Sequence, residues 1–300
     1  MSRMKPLVIR SAIVASLGGL VFGFDTAVIS GTTEQLKAYF DLSDAYLGWA
    51  VGMALLGTIL AIGLLVFGPT SDRYGRKPVL FVIGVLYLVG ALGSAFAHDI
   101  VTLEIFRFLG GIGVGGASVC APIYTAEIAP AKVRGRLVGL VQFNIVLGIL
   151  LAYLSNTIVR AVVNGPTSDW RWMFGVMAVP AAVFLLLLFT VPETPRWLMA
   201  NGREQQGRDI IAKLTTSKEE ADFQIAEIDA SLAAADNAPK VPFFTKSHAK
   251  VILLAFAIAM FNQMSGINAI LYYAPVVMQK AGASTDAAFQ MSIAVGFMNL

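Results

Sequence analysis

Charge is scarce in this chain. Only 14% of its 300 residues are Asp, Glu, Lys or Arg, against roughly 25% in a soluble domain. So little polar surface cannot cover a globule in water, which excludes a soluble fold. The small basic excess, +3, is not gathered on one face or tail, so no nucleic-acid partner is expected. Cysteine is nearly absent: Cys120 stands alone inside an apolar run, and no internal disulfide can form. The two histidines, His98 and His248, sit at the ends of apolar runs. With no metal-ligand cluster and no nucleophile–base pair in any run, an enzyme is not expected, nor a metal or other cofactor. A cleavable signal peptide is not expected either, because the first apolar run is too long and lacks a small-residue cleavage site.

What is present is hydrophobicity. Apolar residues make up 57% of the chain, and mean hydropathy is +0.72. Seven segments, about 8–30, 46–68, 79–98, 101–126, 137–160, 172–191 and 250–279, approach the roughly 20 residues needed to cross a bilayer. An eighth begins near Asp286 and is still running at Leu300. The chain reads as an all-α, multi-pass membrane protein whose first partner is lipid. Lys and Arg concentrate in the segments that share a side with the N-terminus: Arg73, Arg76, Lys77, Lys132, Arg134, Arg136 and the stretch from Arg196 to Lys250. The positive-inside rule then places the N-terminus in the cytoplasm. Between spans six and seven lies a polar insert, Trp197 to Ser247, in which 204–214 and 218–235 are rich in helix formers. Pro239 and Pro242 mark its exit. Three units follow: a six-span bundle over 1–194, a cytoplasmic helical linker over 195–248, and the start of a second bundle over 249–300. That layout suggests a duplicated transporter architecture, with a site between the halves near the membrane midplane.

The seventh span is the least oily. Its stretch FNQMSGINAILYY, Phe261 to Tyr273, holds Asn262, Gln263, Asn268, Tyr272 and a glycine at Gly266. Lipid has no partner for an amide, so these groups must face protein or a wet cavity. On an ideal helix Ser265, Asn268 and Tyr272 share a face, with Asn262 at its edge and Gln263 well off it. Gly266 offers a break that can re-aim Gln263. Uncharged amides suit a neutral, hydroxyl-rich guest. The other reading is that they only bond neighbouring helices.

Asp25 and Arg107 lie inside spans. Asp25 is roughly 22 Å along span one from Arg10 at 1.5 Å per residue. Arg107 lies a few residues into span four, which enters from outside, so both fall in the outer half of the bilayer. An unpaired charge there is costly, and mutual pairing is the favourable arrangement. Such a pair is either a static fastener or a carboxyl that loads and releases a proton. Phe22 shares the face of Asp25. In span five Gln142 and Asn144 point to nearly opposite sides, so one can face a cavity and the other a neighbour. The run Gly110 to Gly116 contains a formal GxGxxG, but mid-span it reads as helix packing, not nucleotide binding.

Three stretches on the inner side pair acids with arginines: Gly68 to Lys77 with Asp72, Arg73 and Arg76; Glu127 to Arg136 with Arg134; and Pro192 to Arg196 with Glu193. Bidentate bridges between helix ends would form a two-state gate. Alternatively, the arginines only hold the loops inside.

The motifs GPTSDRYGRK, RFLGGIGVGGAS, EIAPAKVRGR, VPETPRWL and QMSGINAILYYAP, in this order across nearly the whole chain, resemble those of the sugar porter family of the major facilitator superfamily. The resemblance implies two six-helix bundles joined by cytoplasmic helices and working by alternating access. It implies that Gln142, Gln263, Asn268 and Asn299 bond sugar hydroxyls, with Asn262 beside them, and that Phe22 and Tyr272 line the pocket. Asp25 and Arg107 match the pair linking protonation to transport in bacterial symporters, making the proton the coupling ion. Asp72, Arg73, Arg76, Glu127, Arg134, Glu193 and Arg196 match the inner salt-bridge network. The expected function is sugar–proton symport of a pentose or hexose by a monomer in the cell membrane. A facilitative uniporter and a non-transporting sugar sensor are the alternatives. Asn262 departs from the family's usual Gln-Gln pair. The family has twelve spans and this chain ends within the eighth, so these 300 residues are not expected to transport alone.

Overall fold

A computed structural model describes residues 4–63, 67–163, 168–237, 245 and 248–300. Pro239 and Pro242, read as the exit of the polar insert, lie outside the described residues. The described residues contain helices and no strand.

Among the described residues, seven helical segments are long and apolar enough to cross a membrane. The first six run along α1 (Pro6–Val28), α3 (Asp44–Gly63), α5 (Arg76–Ala95), α6 (Ile100–Ile128), α7 (Arg134–Val163) and α8 (Asp169–Leu187). Short α2 (Thr33–Tyr39) and α4 (Phe67–Tyr74) lie between them at opposite ends of the bundle. Three further helices follow, short α9 (Pro195–Ala200) and the more polar α10 (Glu204–Leu214) and α11 (Lys218–Asn237). They mark what we call the linker end; the other is the distal end.

The bundle core is unlike that of a soluble protein because both sides of each helix are apolar. Ile59, Val82, Ile105, Ile158, Val179 and Leu186 face outward, where only lipid tails suit them. Inward packing therefore relies on close backbone approach at small residues. A Cβ at Gly23 would fall 1.8 Å from the Ile145 carbonyl oxygen, and one at Gly148 would fall 2.1 Å from that of Leu20. Those glycines set α1 against α7. Gly111, within the glycine run, does the same for α6 against Ala54 of α3, at 2.0 Å. Large side chains such as Trp170, Tyr87, Tyr124, Tyr153 and Phe174 fill the spaces left.

The seventh span is not one helix. It comprises α12 (Ala249–Met264), α13 (Ile267–Tyr272) and α14 (Ala274–Lys280), and α15 (Thr285–Asn299) follows. The first break is at Gly266, whose φ of +75° is left-handed and favours glycine. The second falls just before Pro275, which lacks the N–H a continuous helix needs. Tyr153 of α7 donates from its hydroxyl to the Leu271 carbonyl at 2.8 Å, tying this broken region to the six-span bundle.

Candidate functional site

Asp25 and Arg107 meet. Arg107 Nη1 donates to Asp25 Oδ1 at 2.5 Å, and both side chains are 4% exposed. The glycine contact of α1 with α7 sets one wall; Gly110, a turn beyond Arg107, leaves room for the carboxylate about 4.0 Å from where a Cβ would stand. The guanidinium also lies over the Phe174 ring, 5.4 Å from its centroid. Arg107 Nε has no partner.

Phe22 and Gln142 line one cavity of about 320 Å³, with Gly19, Ser118, Pro122 and Ile145. It opens between α1, α6 and α7. Asn144 turns the other way and donates from Nδ2 to Ser16 Oγ of α1 at 2.6 Å. The two amides of span five thus divide between a cavity wall and a helix contact.

Gln263 and Asn268 meet across the Gly266 turn, where Asn268 Nδ2 donates to Gln263 Oε1 at 2.8 Å. Neither is among the residues lining the Gln142 cavity. α12, which carries Gln263, buries none of its residues, and α13, which carries Asn268, buries only Leu271, so both amides lie away from the bundle core. Asn262 and Asn299 are likewise exposed and line no part of that cavity. Tyr272 is half-buried against the apolar cluster that holds Phe24 and Phe174. The structure therefore places the expected sugar-facing groups in two sets, not around a single void.

At the linker end, Arg76 Nη2 bonds Glu127 Oε1 at 3.0 Å and Asp72 Oδ1 at 2.8 Å. Glu127 Oε2 accepts from the Thr194 hydroxyl at 2.6 Å. Glu193 makes no ion pair among the described residues; it caps α5 instead. Its Oε1 accepts the Arg76 and Thr194 amides at 3.2 and 2.8 Å, and Oε2 accepts the Lys77 amide at 3.1 Å. A Cβ at Gly75 would stand 2.3 Å from Glu193 Oε2, and Gly75 has φ +104°, so only glycine fits there. Burial pushes the Glu193 carboxyl above its usual range, against the pull of these amides and Arg76. Arg134 pairs with Glu227 of α11 at 3.6 Å. Arg196 makes no ion pair among the described residues, but shares a pocket of about 150 Å³ with Glu127, Arg134, Gln224 and Glu227. Arg73 stacks on Tyr74, 5.3 Å from the ring centroid.

Sequence reasoning passed over three features: Glu104, buried one turn before Arg107; the Trp197 indole, which donates to the Asp72 carbonyl at 2.8 Å; and the Arg160–Asp286 pair at 3.3 Å between α7 and α15. Glu104 alone had a visible signal, an acid in an apolar run three residues from an arginine.

This arrangement, a multi-span bundle with a buried acid–arginine pair and an interrupted seventh span, is that of the major facilitator fold. The sequence profile of the family described as "Sugar (and other) transporter" matches residues 11–300, and the chain belongs to that family of transporters, not to the enzymes. It is 39% identical to the D-xylose-proton symporter of Escherichia coli (strain K12), over 96% of this chain and 64% of that protein. It is 34% identical to the arabinose-proton symporter of Bacillus subtilis (strain 168), over 100% of this chain and 64% of that protein. The chain thus spans under two thirds of the length of these relatives. A solved structure of the xylose transporter XylE from E. coli, in a partially occluded inward open conformation, superposes with a TM-score of 0.84 at 37% identity. That match covers 97% of this chain and 70% of that one.

Proposed function

We propose that the protein is a sugar–proton symporter of the cell membrane. It carries a neutral pentose or hexose inward by alternating access, as a monomer with its N-terminus in the cytoplasm. The observation that carries this reading is the buried Asp25–Arg107 pair. An exposed surface pair contributes little, whereas a desolvated one is held at a cost that function can justify. Protonation of Asp25 removes its charge and frees Arg107, so the two protonation states favour different packings of α1 against α6. Gln142 and Phe22 on one side, and Gln263, Asn268 and Tyr272 on the other, close around the sugar when the halves approach; Asn262 and Asn299 stand at the margin. The amide pair Gln263–Asn268 is a donor–acceptor couple that sugar hydroxyls can join.

The three units, 1–194, 195–248 and 249–300, divide the work. The first carries the proton and one sugar wall. The linker ties to it through Arg134–Glu227. Arg76, Glu127, Asp72 and Glu193, with Arg73 and Arg196 beside them, form a lock across the helix ends that opens and closes with the cycle. Relatives named as D-xylose-proton and arabinose-proton symporters support this choice over a uniporter.

The test uses the full-length protein in cells suspended in weakly buffered, de-energised medium. External D-xylose or L-arabinose should alkalinise the medium as sugar enters. Uptake with no pH change would make the protein a uniporter; binding without uptake would make it a sensor.

A further inference from the structure

Glu104 is unused by the mechanism above. It lies in α6, is 8% exposed, and its Oε1 is buried without a hydrogen-bond partner. An orphaned carboxylate oxygen at such depth is costly. Glu104 precedes Arg107 by three residues, which puts the two side chains on neighbouring positions of one helical face, with Cβ atoms about 5–6 Å apart. It is also about 4.5 Å nearer the distal end, at 1.5 Å per residue. Arg107 has an unpartnered Nε in addition to the group that holds Asp25.

Among the described residues, Arg107 is the cation that shares a helical face with Glu104; Arg10 of α1 and Arg76 and Lys77 of α5 stand at the linker end. From α3, the Tyr46 phenol lies beside the Glu104 carboxylate, and Asp44 is held by Lys37 at 2.5 Å. From α5, Tyr87 donates to the Gly18 carbonyl at 3.3 Å. From α1 comes Asp25 itself. The ionisable groups of α7 are Arg134, Arg136, Tyr153 and Arg160; Tyr153 bonds Leu271, and Arg160 pairs with Asp286 at the distal end. Those of α4 and α9 lie at the linker end.

Two buried carboxyls and one buried guanidinium make a neutral set only if one carboxyl carries a proton. We infer that Glu104 is the second counter-ion of Arg107 and the outer station of the proton path to Asp25. The structure pairs Asp25 with Arg107, and in the proposed resting state the proton is assigned to Glu104. In the loading step the Glu104 O–H bond breaks, an O–H bond forms on Asp25, and Arg107 moves one turn to the Glu104 carboxylate. Asp25 then releases its proton inward and recovers Arg107, while Glu104 takes a new proton from the outer side. One proton crosses per cycle, and Arg107 never faces an empty position. This rests on the symport reading, which Asp25→Asn tests separately.

The experiment compares wild type, Glu104→Gln, Glu104→Asp and Asp25→Asn, each full-length in proteoliposomes under an inward proton gradient. In Glu104→Gln the accumulation ratio for D-xylose should fall toward unity and the pH profile of uptake should lose a limb; Glu104→Asp should restore both. A Glu104→Gln protein with the accumulation and pH profile of wild type, beside an Asp25→Asn protein that cannot accumulate, overturns this inference alone. Accumulation by Asp25→Asn overturns both readings. Infrared spectra of the purified wild type give a readout independent of transport. They should contain a protonated-carboxyl C=O band at neutral pH that shifts in Glu104→Asp, and its absence overturns the inference.

Discussion

Asn268 reaches Gln263 across a left-handed glycine. The donor and acceptor are 2.8 Å apart, although five residues on a continuous helix would direct them to different sides. Gly266, at φ +75°, is what brings them together. No atom lies within 4 Å of the place a Cβ would take, so Gly266→Ala acts through backbone conformation alone. A side chain in that conformation costs about 1–2 kcal/mol. Sugar affinity of the full-length protein should fall roughly 5- to 30-fold with little change in yield. Titration calorimetry measures it; wild-type affinity in the variant would show that the bent amide pair takes no part in binding.

The lock at the linker end should behave as a buried pair. Arg76 and Glu127 side chains are 10% and 11% exposed. Glu127→Ala leaves Arg76 with the Ser71 carbonyl at 2.9 Å and, as its carboxylate, the exposed Asp72, and orphans the Thr194 hydroxyl. A loss of about 3 kcal/mol is expected, the low end for breaking a buried pair. The joint variant Arg76→Leu, Glu127→Leu should recover much of it, because no charge is left uncompensated. Thermal unfolding in detergent compares the two. Equal losses in the single and joint variants would contradict the pairing.

Glu193 makes stability depend on pH in an unusual direction for an acid. Burial raises its carboxyl above the ordinary range, so the folded state holds this proton to higher pH than the unfolded chain does. Its contribution is fully present below the unfolded Glu value and is lost as pH rises through the raised one. Melting temperature measured over that window should fall with rising pH in wild type and fall less in Glu193→Gln. An identical slope in both proteins would contradict this.

The spans were legible because oil-solvated helices need long apolar runs, and a lone charge in such a run stands out. Depth along the helices brought Asp25 and Arg107 to one level, and the structure pairs them. The Gly266 break was legible for the same reason, as a glycine among amides. Position around a helix was less accessible. Spacing counts residues along one axis and says nothing about which neighbour that axis meets. Hence Gln142 faces a cavity that Gln263 and Asn268 do not line, and Arg134 finds Glu227 in the linker. Glu193 looked like an ion-pair partner because its charge suggested an arginine. Its actual role depends on the N-terminal amides of α5, which no side-chain pattern displays.

The most direct test of the account is sugar accumulation by Asp25→Asn. The asparagine keeps the shape of the carboxyl and cannot carry the proton. In membrane vesicles holding the full-length variant, uphill accumulation of D-xylose should be lost while exchange of internal for external sugar continues. Accumulation at the wild-type level would contradict the central claim, that the carboxyl buried against Arg107 couples the proton to the sugar.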